Sequence, residues 1–383
     1  MSRIVCAIAT RRQLPGARAL ARALRVHDPG VRCLVLVLDD VHYEVSPAPE
    51  PFQIVRPESL DLSRFGLLAG IHAAPELEVV VRPAFLRHAL DQAEGPVIHL
   101  GADTALCGSL GPVFELLERH PIVLVPRLHA PVPRDHVRLT DADVARRGVF
   151  DPGMLGVAPG ADLDGLLRAW SDRVELDSSD ETPLPSGRFL DMAPGFVPAA
   201  HILVDAGIGV SHLNLHERRI SRHQERWWAN DRPLVTFDFD GMEVTRQDEM
   251  VELVAGHLQE LDACGRAEAD GLPYGYDQLA DGTPLTPRLR VAIRDAELYG
   301  RLARSPFSAV GTSDLLQWLN APAPHGAIAG VTRYWFQIYQ ERLDLQLMHP
   351  DLDGAGGSAF VRWAQDAGRE QYGTPDPLLP LDG

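Results

Sequence analysis

The stretch that decides the fold is PVIHLGADTALCGSLGP, residues 96–112. It begins with a short apolar run, Val97 to Leu100, which breaks at Gly101 into a turn that carries one acid, Asp103. A buried strand ending in such a turn lifts the carboxylate to the carboxyl edge of an α/β sheet, where these sheets bind ligands. Asp103 is therefore the first candidate for a ligand-binding residue.

Apolar runs and an amphipathic segment alternate along the first forty residues. Ile4 to Ala9 is a continuous apolar run, residues 16–26 place leucine and alanine at helical spacing, and residues 33–38 form a second apolar run. This β-α-β opening predicts parallel strands joined by a right-handed crossover. The same patterns predict helices over 111–120 and 163–174, and strands over 122–125 and at the end of 146–157.

The character of the chain changes after residue 265. Residues 270–287 are rich in glycine and proline. Beyond them lie only helical patterns, over 289–303, 313–319, 331–348 and 358–368. The sequence therefore predicts an α/β protein, with a Rossmann-type mixed sheet in residues 1–265 and a mainly helical region in residues 266–383.

Charge and cysteine content exclude some classes of function. The 383 residues carry 53 acids and 36 bases, a formal net charge of −17, which argues against nucleic-acid binding because such proteins need a basic face. A local arginine cluster can still bind phosphate. The four cysteines are scattered, and the first apolar run is too short for a signal peptide or a membrane span. We expect a cytoplasmic protein with reduced thiols and no membrane span.

Charged residues also lie near other predicted strands and helices. Asp39 and Asp40 follow the second strand, where a ribose or base contact and a simple helix cap are equally plausible interpretations. Arg82 and Arg87 flank the start of a helix whose first turn would contain Pro83. Arg82 is a candidate to bind phosphate as a fixed cation, although its spacing alone favours a surface arginine.

Two later segments concentrate polar side chains. In SHLNLHERR, residues 211–219, alternation would place His212, Asn214 and His216 on one face. A metal site is one interpretation, and polar scaffolding beside a ligand is the favoured one, because the spacing matches no known metal motif. In PLVTFDFDG, residues 233–241, Asp238 and Asp240 share one face of a half-buried strand. Like charges so placed need a cation or an arginine between them.

Several of these segments together resemble a known family. RPAFLRHAL (82–90), the acidic turn at 101–103, GVFDPGMLGV (148–157), SHLNLHERR and FDFDG (237–241) are similar to segments of bacterial GT-A-type nucleotide-sugar glycosyltransferases, in a subgroup common in actinobacteria and cyanobacteria. The tail segments YGYDQLADGTPL (274–285) and RYWFQIYQERLDLQLMHPD (333–351) resemble the helical region that follows that domain. The resemblance implies a GT-A-like fold and spans nearly the whole chain.

The resemblance carries functional residues over position by position. The family's two metal acids fall on Gly101 and Asp103, so one is lost, and its lysine falls on Arg82. The strand whose histidine completes the family's metal site falls on residues 237–241. Its Asn-x-Gly turn falls on residues 151–153 and its Asp-Gln pair on 191–192, which makes Asp151 and Asp191 candidates for binding sugar hydroxyls or for general base catalysis. The residues expected to contact the UDP- or GDP-sugar are Ala9, Asp39, Asp40, Arg82, Arg87, Asp103, Asn214 and His216.

Three interpretations of the altered motif stand side by side. The metal site is rebuilt for Mg²⁺ or Mn²⁺ with Asp103, Asp238 and Asp240 as oxygen ligands. Alternatively, metal dependence is lost and arginines such as Arg82 neutralise the diphosphate. In the third, the chain only binds a nucleotide or a partner. The first two predict a glycosyltransferase that moves a sugar to a hydroxyl or amine acceptor. In the tail, the aromatic segment Arg333 to Tyr339 is either a platform for that acceptor or, as its helical spacing favours, core.

Overall fold

A computed structural model of the chain describes residues 3–39, 49–62, 64–134, 140–177, 186–242, 248–326 and 329–380. Their packing divides them into two compact units. The first unit contains the described parts of residues 1–62, 78–177 and 182–274, and the second contains those of 63–77 and 275–383. The assignment of separate roles to residues 1–265 and 266–383 stays a prediction.

The described residues form thirteen strands and fifteen α-helices. The strands are β1 Ile4–Ala9, β2 Arg32–Val37, β3 Gln53–Val55, β4 Val97–Leu100, β5 Thr104–Leu106, β6 Ile122–Pro126, β7 Phe150–Val157, β8 His201–Ile202, β9 Val210–Ser211, β10 Ile220–His223, β11 Arg226–Ala229, β12 Arg232–Pro233 and β13 Thr236–Asp238. The helices are α1 Leu14–His27, α2 Phe65–Ile71, α3 Ala74–Gln92, α4 Gly111–Leu117, α5 Asp141–Arg147, α6 Ala161–Asp177, α7 Ala193–Phe196, α8 Asp248–Ala263, α9 Arg266–Asp270, α10 Pro287–Leu298, α11 Ala309–Asn320, α12 Arg333–Glu341, α13 Leu343–Met348, α14 Ala355–Trp363 and α15 Arg369–Tyr372.

A mixed seven-stranded sheet forms the centre of the first unit, in the order β3-β2-β1-β4-β7-β6-β8. The pairs β1–β2, β1–β4, β2–β3 and β6–β8 are parallel, whereas β7 runs antiparallel to both of its neighbours. Every residue of β1 and β4 is buried, as expected for strands covered on both faces. The predicted α/β fold class, with a mixed sheet followed by a helical region, is confirmed.

A small sheet, β5-β13-β9, forms beside the end of β4. Strand β13 runs antiparallel to β5, with Asp238 opposite Thr104, and parallel to β9, with Asp238 opposite Ser211. Because β5 begins directly after Asp103, this register brings Asp238 beside the acidic turn. A separate three-stranded sheet contains β10, β11 and β12.

Three local predictions were wrong. Pro83 lies inside α3 and not in its first turn, which contains Pro75 instead. An interior proline costs a helix one backbone hydrogen bond, and α3 is long enough to continue through it. Residues 212–217 form turns and not a strand, because the Asn214 side chain accepts the Ser211 N–H and competes with strand pairing. Strand β13 covers three residues and not 233–241, so Asp240 lies beyond it.

The second unit is helical in its described part, apart from isolated bridges. Tyr334 and Trp335 are fully buried in its core, as the helical spacing favoured, and the indole N–H of Trp335 donates to the Leu378 carbonyl over 2.9 Å. Across the described parts of both units, no helix combines the length and apolarity needed to cross a membrane.

Candidate functional site

Five carboxylates lie near enough to the turn after β4 to repel one another. Asp103 follows that strand, Asp238 ends β13, and their charges act on one another and on three further acids. Burial raises the pKa of Asp238 to about 7, with repulsion from Asp151, Asp240 and Asp103 adding to the shift. Burial and repulsion also raise the pKa of Glu78 and of Asp103. We call Glu78, Asp103, Asp151, Asp238 and Asp240 the acidic cluster.

Gln13 fixes the orientation of Asp103. The Gln13 amide donates from Nε2 to Oδ2 of Asp103 over 3.0 Å, while its Oε1 accepts from the backbone N–H and the hydroxyl of Thr10. Thr10 directly follows Ala9 at the end of β1. Asp103 is therefore connected to the carboxyl ends of two neighbouring parallel strands, β1 and β4.

Backbone contacts fix Asp238 and Asp240. The N–H of Phe239 donates to the Asp103 carbonyl over 3.1 Å, and the N–H of Asp240 donates to Oδ1 of Asp238 over 3.0 Å. Gly241 turns the chain at a φ of +64°, which favours glycine, and the His212 ring lies where a Cβ would project. Asp240 is exposed, whereas Asp238 is partly buried.

Two arginines face the acids. Arg82 is 3% exposed, donates from Nε to Nε2 of His99 over 3.1 Å, and pairs through Nη2 with Glu78 at 3.4 Å. Its Nη1 is buried and has no hydrogen-bond partner within the described ranges. Arg127 pairs through Nη1 with Oδ1 of Asp151 at 3.4 Å. Arg82 thus holds a fixed positive charge with one unused donor group.

His99 keeps Arg82 in place as a neutral ring. Burial, followed by the charge of Arg82, holds the pKa of His99 well below its ordinary value. Its Nε2 must be the acceptor for Arg82, so the ring proton lies on Nδ1, 3.9 Å from the sulfur of Cys6. The four cysteines are free thiols, and Cys6 is buried, which raises its pKa.

The segment NLHER, residues 214–218, forms hydrogen bonds to neighbouring segments, and its position beside a ligand stays a prediction. Asn214 is fully buried, accepts the Ser211 N–H, and donates to the carbonyls of Arg127 and Gly209. Glu217 accepts the N–H of His129, and Arg218 donates to the Ile208 carbonyl and contacts the His129 ring. These bonds tie the loop after β6, which carries Arg127, to β9.

Two histidines of this region keep unused nitrogens. Nδ1 of His212 and Nε2 of His216 are buried without a hydrogen-bond partner among the described residues. Burial lowers the pKa of His212, and Asp240 lies close enough to oppose that shift. The described part of the chain nevertheless holds no group of three or more His, Cys, Asp or Glu side chains that could bind a metal ion together.

Other predicted site residues are engaged elsewhere. Asp39 accepts the N–H of Arg11 at 2.7 Å and pairs with its guanidinium, so it caps the short helical turn after β1. Arg87 pairs with Asp61 and Asp164 and not with the acidic cluster. Asp191 accepts the N–H of Val149 at 2.7 Å and pairs with Arg188. Asp40 lies outside the described residues.

The acidic cluster fits a divalent cation held by two protein carboxylates. Asp103 and Asp238 offer hard oxygens from adjacent chain segments, and burial together with repulsion from neighbouring acids raises the pKa of both, a cost of charge that a cation would relieve. Mg²⁺ is commonly bound by one or two carboxylates together with substrate phosphates and water, so a third protein ligand is not required. Asp103 and Asp238 are the residues that would hold it.

Sequence reasoning missed four residues of this site: Gln13, Glu78, His99 and Arg127. Glu78 was recognisable, because it lies four residues before Arg82, the spacing of a helical ion pair. Gln13 was recognisable as the partner of Thr10 in a capping box. His99 and Arg127 carried no local signal, since their partners come from distant segments.

Comparison with known proteins gives only remote similarity. No protein-family model and no curated protein matches the chain. Among solved structures, the galactosyltransferase LgtC, in complex with donor and acceptor sugar analogues, matches at 14% identity and a TM-score of 0.40, over 70% of this chain and 97% of LgtC. The glycosyltransferase GlyE of Streptococcus pneumoniae TIGR4 matches at 12% identity and a TM-score of 0.36, over 73% of this chain and 67% of GlyE. Mouse xyloside xylosyltransferase 1 matches at 11% identity and a TM-score of 0.37, over 64% of this chain and 100% of the mouse protein.

These similar structures are all glycosyltransferases. Their TM-scores are too low to assign a role to any residue of this chain.

Proposed function

We propose that the chain is a glycosyltransferase that moves a sugar from a UDP- or GDP-sugar to a hydroxyl or amine acceptor. The observation that carries this proposal is the position of Asp238 opposite Thr104, the residue after Asp103, at the carboxyl edge of the central sheet, with Arg82 and Arg127 paired to Glu78 and Asp151 of the same cluster. Open α/β sheets bind their ligands at this edge. Carboxylates alone would repel a diphosphate, so this arrangement makes chemical sense with a cation between them.

The leaving group of such a reaction is a nucleoside diphosphate. A bound Mg²⁺ or Mn²⁺ would supply charge neutralisation for that diphosphate. Asp103 and Asp238 would hold it, and exposed Asp240 would act as a further carboxylate at the mouth of the site. Gln13 keeps Asp103 oriented before the donor arrives, so that no reorganisation is needed on binding.

Arg82 and Asp151 would act on the donor from the inner side of the site. The unused Nη1 of Arg82 is a fixed donor for a phosphate or sugar oxygen. Asp151 is buried and pairs with Arg127, and its side-chain oxygens would accept hydrogen bonds from sugar hydroxyls. Asp191 remains a proposed general base, which would require it to exchange its contacts with Val149 and Arg188.

The remaining nucleotide contacts are also proposals. Ala9 would approach the nucleoside with its backbone at the end of β1, and Asp39 and Asp40 would lie near the base or ribose. Asn214 and His216 would act at the donor, Asn214 indirectly because its amide is already bonded to three backbone groups. Arg87 would contribute only by leaving its present acidic partners.

Turnover assays test this proposal. The protein is incubated with UDP- and GDP-sugars and a panel of hydroxyl and amine acceptors, and release of UDP or GDP is measured. We expect release from at least one donor, and a loss of about 100-fold or more in Asp103→Asn and in Asp238→Asn. Asp162→Asn, a substitution of an exposed acid on α6, serves as the control and should leave turnover unchanged. Wild-type activity in Asp103→Asn would contradict the assignment.

A second candidate function is nucleotide binding without transfer. Gly101 occupies the position of an acid in the resembling family, and the described residues hold no three-ligand group. Nucleotide binding without release of UDP or GDP from any donor would favour this candidate.

A further inference from the structure

The second unit contains a cavity of its own, of about 410 Å³. It lies between the end of α10, helix α11 and helix α12, and it is lined by side chains of residues 299–340 only. Its volume falls within the range of small-molecule sites, which combine aromatic walls with a few polar groups. The acidic cluster belongs to the first unit, so this cavity is a separate feature of the chain.

Aromatic rings form the apolar part of its wall. Trp318 and Tyr299 lie with their ring centroids 5.9 Å apart, and Phe336 lines the cavity from α12. Tyr299 is 68% exposed. An aromatic side chain stabilises a fold mainly when it is buried, so this ring contributes little to stability. Neighbouring Tyr334 and Trp335 are fully buried. Tyr299 is therefore available to a ligand, whereas Trp318 and Phe336 are half-buried, pack against the core and also line the cavity.

Two arginines line the same cavity. The guanidinium of Arg333 lies 5.4 Å from the centre of the Trp318 ring, which holds it in one place by a cation–π contact. Arg301 follows α10 and also lines the cavity. Neither forms an ion pair with a carboxylate in the part of the chain that the structure describes, whereas Arg288 and Arg342 of the same unit pair with Glu341 and Asp344. Two uncompensated guanidiniums favour an external anion.

An unused hydrogen-bond acceptor adds a second requirement. Oε1 of Gln337 is buried and accepts no hydrogen bond from any described residue. Leaving a buried acceptor unpaired costs about 1 to 3 kcal/mol, and Gln337 lines the cavity, so a ligand that brings a donor is favoured there. Gln340 on the same helix adds a second amide. A hydroxyl group would satisfy Gln337.

We propose that this cavity binds a sugar that carries an anionic group, such as a uronic acid or a sugar phosphate. The sugar ring would pack its C–H face on Trp318 or Phe336, a hydroxyl would donate to Gln337, and the anion would pair with Arg333 and Arg301. The anion and the hydroxyl would each meet a group that has no ion-pair or hydrogen-bond partner among the described residues. The site does not depend on the donor site of the first unit.

Ligand-observed NMR on the full chain tests this proposal. Methyl β-D-glucuronide and the neutral methyl β-D-glucoside are titrated to about 10 mM, a range in which weak single-site binding is still measurable. We expect saturation transfer to the glucuronide, with an affinity at least about 10-fold higher than for the glucoside. UMP is titrated as a competing class, because a base can also stack on an aromatic ring.

Substitutions identify the cavity. Arg333→Gln and Trp318→Leu should each weaken glucuronide binding by about 10-fold, and Gln337→Leu by about 5-fold without lowering the melting temperature, because it removes an unpaired polar atom. Arg304→Gln, at an exposed arginine paired with Asp314, is the matched control. Asp103→Asn should leave this binding unchanged, which separates it from the donor site. Equal binding of the glucoside, tighter binding of UMP, no binding of the glucuronide, or indifference to Arg333→Gln would each overturn the proposal.

Discussion

Gln13 donates from Nε2 to Oδ2 of Asp103 over 3.0 Å, and this bond connects the end of the first strand of the sheet to the acidic turn after β4. Gln13 is held in turn by Thr10. The acid therefore has one fixed orientation although its own turn is short.

Replacing Gln13 by leucine should release Asp103 while leaving the fold intact. We expect turnover to fall by about 10-fold, since residues that orient a ligand commonly contribute 10- to 100-fold. The loss should appear mainly as a higher Mn²⁺ requirement. Gln317→Leu, at an exposed glutamine on α11, is the control and should have wild-type kinetics. An unchanged Mn²⁺ requirement in Gln13→Leu would show that Asp103 needs no such support.

Asp238→Asn should stabilise the protein at pH 8 while abolishing turnover. The carboxylate is ionised at that pH, and burial and neighbouring acids oppose its charge, as its raised pKa shows. Removing the charge should raise the free energy of unfolding by about 1 to 3 kcal/mol, after allowance for partial exposure. Denaturant unfolding without metal measures the change. Asp240→Asn should give a smaller gain because Asp240 is exposed, and a destabilised Asp238→Asn variant would argue against repulsion at this position.

Asn214 should be essential to stability. Alanine at this position removes three hydrogen bonds, two of them buried, to the Ser211 N–H and to the carbonyls of Arg127 and Gly209. We expect a loss of about 2 to 5 kcal/mol in denaturant unfolding. Asn320→Ala, which removes one exposed hydrogen bond, should cost less than about 1 kcal/mol. If the two variants lose similar amounts, the 214–218 segment is not the scaffold that its bonds indicate.

His257 predicts an acid-dependent loss of stability. Burial lowers its pKa from 6.5 to about 4, and its ring stacks on Phe239 at a centroid distance of 4.0 Å. Between these two pH values the unfolded chain binds the proton and the native protein does not, so stability falls as the pH falls.

His257→Phe keeps an aromatic ring for stacking and removes this titration. Its melting temperature should match that of the wild type near pH 7.5 and exceed it progressively below about pH 6. Near pH 4.5 the variant's free energy of unfolding should be higher by about 1 to 2 kcal/mol. Thermal unfolding at a series of pH values checks this. A difference that does not vary with pH would exclude His257 as its source.

Much of the sheet was predictable because parallel strands that are buried on both faces have continuous apolar sequences. Ile4 to Ala9 and the run ending at Leu100 are strands as predicted, and the β-α-β opening is parallel. Tyr334 and Trp335 are core, as their helical spacing favoured. In each of these cases the spacing of apolar residues in the sequence matches the burial of those residues in the structure.

The site was less predictable because its contacts come from distant segments. That Asp238 lies opposite Thr104, the residue after Asp103, depends on the register of β13 against β5, which no local pattern specifies. The turn at 212–217 follows from the side-chain bonds of Asn214, which override the alternation of leucine and polar residues. The partners of Arg87, Asp61 and Asp164, could not be predicted because a charged residue in a sequence does not specify its partner, and its contact with the donor stays a prediction.

The most direct test of the central claim is calorimetric titration of UDP and GDP with and without Mn²⁺. If Asp103 and Asp238 hold a cation beside the diphosphate, Mn²⁺ should tighten binding of one nucleotide by at least about 10-fold in the wild type and not in Asp103→Asn. Nucleotide binding that is indifferent to Mn²⁺, or no nucleotide binding at all, would contradict the claim.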